Sequence, residues 1–182
     1  MSKNQLSRVI YPGTFDPITK GHLDIVKRAS DMFDEVIIAV ASNPSKNTMF
    51  TLDERVHLIQ EATKSFTNLS LKGFSGFIID FIKQERVNIL LRGLRGVVDF
   101  EYESNLINVY RYFIPEIEGI FLSASKQYTC ISSTVVREIA IHGGEVYAFV
   151  PKVVAIALDS KFKKINILVD SIGLFFFRLV FL

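Results

Sequence analysis

The stretch Tyr11-Pro12-Gly13-Thr14-Phe15-Asp16-Pro17-Ile18-Thr19-Lys20-Gly21-His22 joins a short apolar strand pattern to a helical pattern that begins at Leu23. Backbone N–H groups at the start of a helix have no intrahelical partner, and the helix dipole favours an anion there. Gly21 allows a ligand to approach the backbone, and His22 adds a donor side chain. The stretch therefore predicts a loop between a strand and a helix that handles a phosphate group.

Working outward, five apolar segments predict strands, at residues 9–11, 36–41, 69–71, 88–91 and 119–122. Helical patterns lie between them. The first follows the opening loop, and the second covers about 52–66 and starts with a capping box from Thr51. The third covers 76–86 with Ser75 as its cap, and the fourth covers 100–113. The last is capped by Ser132 or Ser133 and ends at Gly143-Gly144. Strands that alternate with helices indicate an α/β fold, here a five-stranded parallel sheet with helices on both faces in a single domain.

The composition places the chain among globular, intracellular proteins. It has 182 residues, of which 49% are hydrophobic and 22% charged, and its net charge is +2. Without a basic cluster before residue 160, the sequence predicts no nucleic-acid surface. Cys130 is the single cysteine, so no internal disulfide can form. The first residues carry no apolar signal-peptide core, and we expect a cytoplasmic protein.

Polar and basic residues follow each predicted strand. In parallel sheets these ends meet at one edge, where ligands bind. The groups are Gly13-Thr14 and His22, Ser42 to Lys46, Gly73-Phe74-Ser75, Arg92-Gly93-Leu94-Arg95, and Ser123 to Lys126, which leads to Ile131-Ser132-Ser133-Thr134. Their convergence predicts an anion-binding active site.

Each of these candidates also has a simpler interpretation. A lone histidine near a helix start is usually structural, but the loop context favours a function for His22 over His57 and His142. A lysine such as Lys46 is usually a solvated charge. Arg92 abuts a buried strand, which suits a phosphate ligand, yet Arg92 or Arg95 could instead pair with Asp99, Glu101 or Glu103.

The hydroxyl cluster at residues 132–134 also has both a functional and a structural interpretation. Ser132, Ser133 and Thr134 could cradle a triphosphate with help from Arg137, although a helix N-cap needs only one hydroxyl. The sequence lacks the P-loop pattern, the G-x-G-x-x-G pattern after the first strand, and the G-x-S-x-G elbow of hydrolases. These absences argue against three common phosphate-binding or hydrolytic classes.

Two motifs resemble the nucleotidyltransferase superfamily. Thr19-Lys20-Gly21-His22 resembles its [HT]-x-G-H signature, and the segment 131–137 resembles its I-S-S-T-x-x-R signature. More closely, the segments 11–17, 44–46, 50–55, 92–95 and 99–103 resemble the bacterial phosphopantetheine adenylyltransferases. The resemblance covers about Arg8 to Ser160.

The resemblance implies transfer of the adenylyl group of ATP to 4′-phosphopantetheine, with Mg²⁺, by direct attack and without a covalent enzyme intermediate. It implies that His22 stabilises the transition state and that Lys46 and Arg92 bind the acceptor phosphate. Thr14 would touch both substrates, and Ile78 would pack on the pantetheine arm. It assigns ATP to Phe15, His22, Gly93, Leu94, Arg95, Glu103, Tyr128, Thr129, Cys130, Ile131, Ser132, Ser133 and Thr134.

The resemblance further implies a Rossmann-like fold, a homohexamer and feedback inhibition by coenzyme A. It gives no metal ligands, and without a clear carboxylate cluster we expect the ATP phosphates to hold most of the Mg²⁺. Two other functions stay open. One is a nucleotidyltransferase with another acceptor, such as nicotinamide mononucleotide or glycerol 3-phosphate. The other is a non-catalytic sensor of adenine nucleotide or coenzyme A.

This chain departs from the family pattern in two places. Asn47-Thr48 stands where many relatives carry a more basic or proline-containing pair. Residues 161–182 form an apolar extension beyond the domain of residues 1–160, and a helix over 165–182 would span about 27 Å. Asp170, Gly173 and Arg178 interrupt it, so we expect packing on the domain or a subunit interface, or a non-native extension, rather than membrane contact.

Overall fold

The computed structural model describes residues 6–42 and 47–162. Five strands form its sheet: β1 (Arg8–Gly13), β2 (Glu35–Ser42), β3 (Leu69–Ser75), β4 (Ile89–Leu94) and β5 (Glu118–Ser123). Five helices alternate with them or follow them: α1 (Lys20–Met32), α2 (Leu52–Thr63), α3 (Ile78–Glu85), α4 (Val97–Arg111) and α5 (Ser133–Ile141). Residues 152–162 form a further helix, α6.

All neighbouring strands are parallel, and their order is β3-β2-β1-β4-β5. The chain thus builds one half of the sheet from β1 towards β3 and then returns to β1 to place β4 on its other side. The fold is Rossmann-like, as predicted. A crevice opens at the carboxyl ends of β1 and β4, where the strand order reverses, and ligands bind at such switch points.

Both faces of the sheet are covered, because alternate residues of each central strand point to opposite sides. Val9, Val36 and Leu91 pack into a core with α1, α2, α5 and α6. Ile10, Ile37 and Leu90 pack into a second core with α3 and α4. This double burial explains why the strands appear in the sequence as continuous apolar runs.

Local capping decides three of the helix starts. Thr19 and Thr51 each form a capping box with the third helical residue, which is His22 in α1 and Glu54 in α2. Ser132 caps α5 by accepting from the Val135 N–H over 3.1 Å. Of the two predicted caps of α5, Ser132 is therefore the one that the helix uses.

Other predicted boundaries were wrong. Ser75 does not cap α3, because β3 pairs with β2 through Ser75 and the helix starts only at Ile78, after an N-cap without a side-chain hydrogen bond. Helix α4 starts at Val97 and ends at Arg111, not at 100 and 113, and α2 ends at Thr63, not near Phe66.

The strands also run further than predicted at their carboxyl ends. Arg92, Gly93 and Leu94 pair with β5 and belong to β4, although the sequence placed them in the following loop. Gly73 to Ser75 likewise belong to β3. Functional side chains at this edge are therefore held by the sheet and not by a free loop.

Within residues 6–42 and 47–162, no helix has the length and apolar character needed to cross a membrane. The predicted boundary at residue 160 lies inside α6, which continues through Phe162. The rest of the predicted apolar extension, residues 163–182, lies outside the described residues.

Candidate active site

A cavity of about 1040 Å³ lies over the carboxyl ends of β1 and β4. It brings together most of the predicted site residues: Thr14, Phe15, His22, Ile78, Arg92, Gly93, Leu94, Arg95, Glu103, Tyr128, Ile131, Ser132, Ser133 and Thr134. Thr129 and Cys130 lie in the turn before α5 and are not part of its wall. Lys46 is outside the described residues.

The loop between β1 and α1 forms the floor of this cavity. Phe15 adopts a left-handed backbone conformation, with φ of 48°, and its ring packs edge-on against both Tyr11 and His22. Gly13 makes room for that ring, because a Cβ there would lie 2.8 Å from the Phe15 Cζ. Burial of Tyr11 raises the pKa of its hydroxyl, which therefore keeps its proton inside the cavity.

His22 lies in the first turn of α1, and its capping role orients the ring. The Thr19 N–H donates to Nδ1 of His22 over 3.0 Å, so Nδ1 is the acceptor and Nε2 carries the proton. Burial, together with the nearby Arg95 guanidinium, lowers the pKa of His22 to about 4. The ring is thus a neutral hydrogen-bond donor at neutral pH.

Two arginines line the side of the cavity formed by β4, and both have carboxylate partners from α4. Arg92 is paired with Glu103, and Nη1 of Arg92 also lies 3.5 Å from the Pro12 carbonyl. Arg95 pairs with Asp99 over 3.0 Å. The salt bridges that the sequence offered as the simpler interpretation therefore form for both arginines, and both side chains also line the cavity.

The amino end of α5 forms the opposite side. The Ser133 hydroxyl donates to the Pro17 carbonyl over 2.8 Å, which ties α5 to the floor loop. Arg137 donates to the Asp16 carbonyl over 2.6 Å and to the Thr134 hydroxyl over 3.3 Å. This side thus presents a helix start and the partly exposed side chain of Arg137.

One end of the cavity is apolar. Phe74, Phe77, Ile78 and Tyr110 line it, from the end of β3, from α3 and from α4. The Phe77 ring packs edge-on against Tyr110 and also against Phe113 on the surface. The cavity therefore combines a cationic centre with an aromatic extension, which suits a ligand that carries both a phosphate and an uncharged arm.

The sequence did not single out two buried charged residues next to the floor loop. Asp16 is 3% exposed and accepts from the N–H groups of Met49 and Phe50. Arg55 is 2% exposed and donates to three backbone carbonyls. A signal existed for Arg55, because it shares the i, i+3, i+4 spacing of the core residues Leu58 and Ile59 on α2.

The carboxylates of the cavity do not form a protein-built magnesium site. Asp16 is held by two backbone N–H groups and Arg137, Glu103 by Arg92, and Asp99 by Arg95. Within the part of the chain that the structure describes, no three His, Cys, Asp or Glu residues cluster closely enough to hold a metal ion. These carboxylates therefore do not fit a resident Mg²⁺.

The sequence model of the cytidylyltransferase-like family matches residues 10–139, which include both signature motifs and almost the whole cavity wall. The chain belongs to this family. It is a nucleotidyltransferase of Rossmann-like fold.

Two solved structures are similar to this chain. One is a protein from Vibrio parahaemolyticus described as a nicotinate-nucleotide adenylyltransferase, with a TM-score of 0.65 and 15% identity over 86% of this chain and 94% of that one. At this identity the likeness shows a shared fold alone. The other is a lipopolysaccharide core biosynthesis protein from Thermoplasma volcanium GSS1, with a TM-score of 0.49 and 22% identity over 67% of this chain and 98% of that one.

Proposed function

We propose that this nucleotidyltransferase transfers the adenylyl group of ATP to 4′-phosphopantetheine, producing dephospho-coenzyme A and pyrophosphate. One observation carries the proposal: a neutral donor, His22, and two arginines, Arg92 and Arg95, line one cavity that ends in an aromatic wall. A phosphate at the centre and a long uncharged arm at the end are what 4′-phosphopantetheine would supply.

In the proposed reaction, an oxygen of the acceptor phosphate attacks the α-phosphorus of ATP. A new phosphorus–oxygen bond forms as the bond to the bridging oxygen breaks, and pyrophosphate leaves with that electron pair. The Nε2–H of His22 would donate to the oxygens of the α-phosphate as negative charge builds on them. Because the ring is already neutral and held by Thr19, it needs no reorientation during the reaction.

Catalysis would otherwise come from positioning. Thr14, which lines the floor of the cavity, would touch both substrates, and Arg92 with Lys46 would bind the acceptor phosphate. On the nucleotide side, the proposed ATP ligands that line the cavity are Phe15, Gly93, Leu94, Arg95, Glu103, Tyr128 and the run from Ile131 to Thr134. No activated nucleophile of the enzyme takes part in this scheme.

The aromatic end of the cavity favours pantetheine over smaller acceptors. Ile78 is 9% exposed and lies beside Phe74 and Phe77, so an uncharged arm there would bury apolar surface. Glycerol 3-phosphate has no arm to fill this end of the cavity, and nicotinamide mononucleotide would bring a cationic ring and ribose hydroxyls to it. The long uncharged arm of pantetheine therefore suits this end better.

No step is assigned to Mg²⁺, since the described carboxylates of the cavity are already paired. We propose that any Mg²⁺ arrives bound to the phosphates of ATP. Inhibition by coenzyme A remains part of the proposal and rests on the family resemblance. A cytoplasmic location also remains part of it and rests on the single cysteine and on the first residues, which carry no apolar signal-peptide core.

We also propose a homo-oligomer, a hexamer by the same resemblance. The support is an exposed apolar face on and after α4. Val97, Val98 and Tyr112 are each at least 80% exposed, and Phe113 is half exposed. Apolar side chains grouped in this way mark interaction surfaces, and a second copy of the chain would cover them.

Release of pyrophosphate from ATP tests the proposed reaction. Release should depend on 4′-phosphopantetheine and should be at least tenfold slower with nicotinamide mononucleotide or glycerol 3-phosphate as the acceptor. Release that responds to one of those acceptors instead would replace the proposal with the related transferase. Binding of ATP without acceptor-dependent release would indicate a sensor.

A further inference from the structure

Tyr11 is a buried tyrosine that has no part in the reaction proposed above. Its side chain leaves β1 near the carboxyl end of the strand, lines the cavity and is 5% exposed. The ring packs edge-on against Phe15, with 5.3 Å between the two ring centroids. A buried ring that is packed in this way fixes the position of its hydroxyl oxygen before any ligand arrives.

The Tyr11 hydroxyl reaches the neighbouring strand β4. A Cβ at Gly93 would lie 3.2 Å from the Tyr11 oxygen, so the glycine leaves room for that oxygen at the carboxyl edge of the sheet. Gly93 lies between Arg92 and Arg95 in the sequence, and all three residues line the cavity. The oxygen is therefore at the boundary between the arginine proposed to bind the acceptor and the residues proposed to bind ATP.

The hydroxyl has no protein partner among the residues that the structure describes. The guanidinium of Arg92 is directed instead to Glu103 and to the Pro12 carbonyl. In the same part of the chain, every side-chain nitrogen or oxygen that is sealed from solvent does have a hydrogen-bond partner. A polar group without a partner is costly unless water or a ligand supplies one. The Tyr11 hydroxyl therefore opens to the cavity that its residue lines.

This hydroxyl is a neutral donor. Burial raises the pKa of Tyr11, and this effect exceeds that of the nearby charges, so the hydroxyl keeps its proton at neutral pH. The charge of Arg95 acts on both Tyr11 and His22, and Phe15 packs edge-on against both of their rings. The floor of the cavity thus carries two neutral donors, one on either side of Phe15.

We propose that Tyr11 is a further nucleotide-binding residue, whose hydroxyl donates to an oxygen of the α-phosphate of ATP beside the Nε2–H of His22. The inference rests on the adenylyl transfer proposed above, which seats ATP against Gly93 and His22. The α-phosphate is the part of ATP that must lie between the acceptor phosphate and the adenosine, and the Tyr11 oxygen lies between the residues proposed for those two groups. A donor that is fixed beforehand needs no reorganisation when it meets the charge of the phosphate.

Tyr11→Phe tests the hydroxyl alone, because it removes the oxygen and keeps the buried ring. Tyr147→Phe is the matched control, since the Tyr147 hydroxyl donates to Asp159 over 3.2 Å outside the cavity. Titration calorimetry with two probes measures nucleotide binding to both variants and to the wild type. AMP carries the phosphate that corresponds to the α-phosphate of ATP, and adenosine lacks it.

The dissociation constant of Tyr11→Phe for AMP should rise about tenfold or more, as expected for loss of a hydrogen bond to a charged group. Adenosine binding should change by less than about twofold, as should binding of either probe to Tyr147→Phe. Unchanged affinity of Tyr11→Phe for AMP would overturn the inference. An equal loss for adenosine would overturn it as well, because the hydroxyl would then contact the nucleoside, and so would a wild type that binds neither probe.

Steady-state kinetics extend the test to the proposed reaction. In Tyr11→Phe, kcat/KM for ATP should fall about tenfold or more, while KM for 4′-phosphopantetheine should change by less than about threefold. A wild-type value of kcat/KM for ATP would contradict the assigned contact. Failure of the wild type to release pyrophosphate with this acceptor would instead refute the proposed function, and the AMP and adenosine titrations would still decide the role of Tyr11.

Unfolding of the ligand-free protein separates a role in binding from a role in folding. Because the hydroxyl bonds to no residue that the structure describes, the urea midpoint of Tyr11→Phe should be no lower than that of the wild type. A lower midpoint, or a variant that does not fold, would show that the hydroxyl stabilises the fold and would overturn the inference.

Discussion

The backbone N–H of Thr19 donates to Nδ1 of His22 over 3.0 Å, while the His22 N–H donates back to the Thr19 hydroxyl over 3.3 Å. This reciprocal pair starts α1 and leaves the Nε2–H of His22 as the free donor of the ring. A capping box usually ends in Glu or Gln. Here the third residue of the box is a histidine on the cavity wall, so one local motif both starts the helix and orients the ring in the cavity.

The lowered pKa of His22 should make folding sensitive to acid. Its pKa is about 4 in the folded protein and 6.5 without perturbation, so below about pH 6.5 the unfolded chain binds a proton that the folded chain does not. The wild type should lose about 2 kcal/mol from this group between pH 8 and pH 5, and further stability down to about pH 4. Urea unfolding across this range measures the loss.

The His22→Asn variant should lack this component of the pH dependence. The exposed His57, which lies outside the cavity, provides the control His57→Asn. A His22→Asn curve that falls as steeply as the wild-type curve would show that other groups cause the acid sensitivity.

Removal of the His22 ring should affect turnover more than binding. His22→Ala should lower kcat by an amount on the order of 3 kcal/mol, or 100-fold or more, if the ring acts as one donor to developing charge. The dissociation constant for ATP should change by less than tenfold. Calorimetric binding and steady-state kinetics give the two quantities. Equal losses in both would make His22 a ligand of the ground state.

Arg92→Ala should weaken binding of the acceptor. A hydrogen bond to a charged group contributes about 1.5–3 kcal/mol, so KM for 4′-phosphopantetheine should rise about 10- to 100-fold while KM for ATP changes little. Arg111, which pairs with Glu118 on the surface outside the cavity, provides the control Arg111→Ala. A larger rise in KM for ATP than in KM for 4′-phosphopantetheine would indicate that Arg92 binds the nucleotide and not the acceptor.

Gly13→Ala should disturb the floor loop. Its Cβ would lie 2.8 Å from the Phe15 ring, which contacts Tyr11 and His22, so the ring must move. We expect a loss of about 1–3 kcal/mol in unfolding free energy and reduced turnover. Gly96→Ala is the control, because a Cβ there meets nothing within 4 Å. Calorimetric unfolding of both variants measures the difference, and equal stability would contradict the expected clash.

Val98→Glu should dissociate the proposed oligomer. Val98 is 80% exposed on α4, and a charge there would be costly to bury against a second copy. Light scattering after gel filtration should show a multimer for the wild type and a smaller species for the variant. Met32→Glu on α1, at a half-exposed position, should keep the wild-type mass. A wild type that is monomeric in solution would contradict the proposed homo-oligomer.

Much of the fold and of the site could be predicted from local patterns. The five strands were visible because a sheet covered on both faces requires nearly continuous apolar runs. Capping boxes join residues three positions apart, so those at Thr19 and Thr51 depend on the local sequence alone. The two signature motifs predicted the superfamily from the sequence alone, and the match of the cytidylyltransferase-like family model over residues 10–139 confirmed it.

The boundaries at the carboxyl edge of the sheet could not be predicted. Arg92 and Gly93 have polar or turn-like character, yet both lie in β4, because pairing with β5 overrides their local preference. Ser75 looked like a helix cap for the same reason, although it is the last residue of β3. The polar and small residues at this edge therefore give little local sign of their strand structure.

The sequence by itself determined the order of the elements, the superfamily and the position of His22 at the start of α1, since each depends on residues close together in the chain. The tertiary structure decided the arrangement of charges around that histidine. Arg55 meets carbonyls 5, 14 and 41 positions away, and Asp16 holds amides 33 and 34 positions away. Such contacts exist only after the sheet has brought its carboxyl ends together, because only then are buried carbonyls and amides close enough to need these partners.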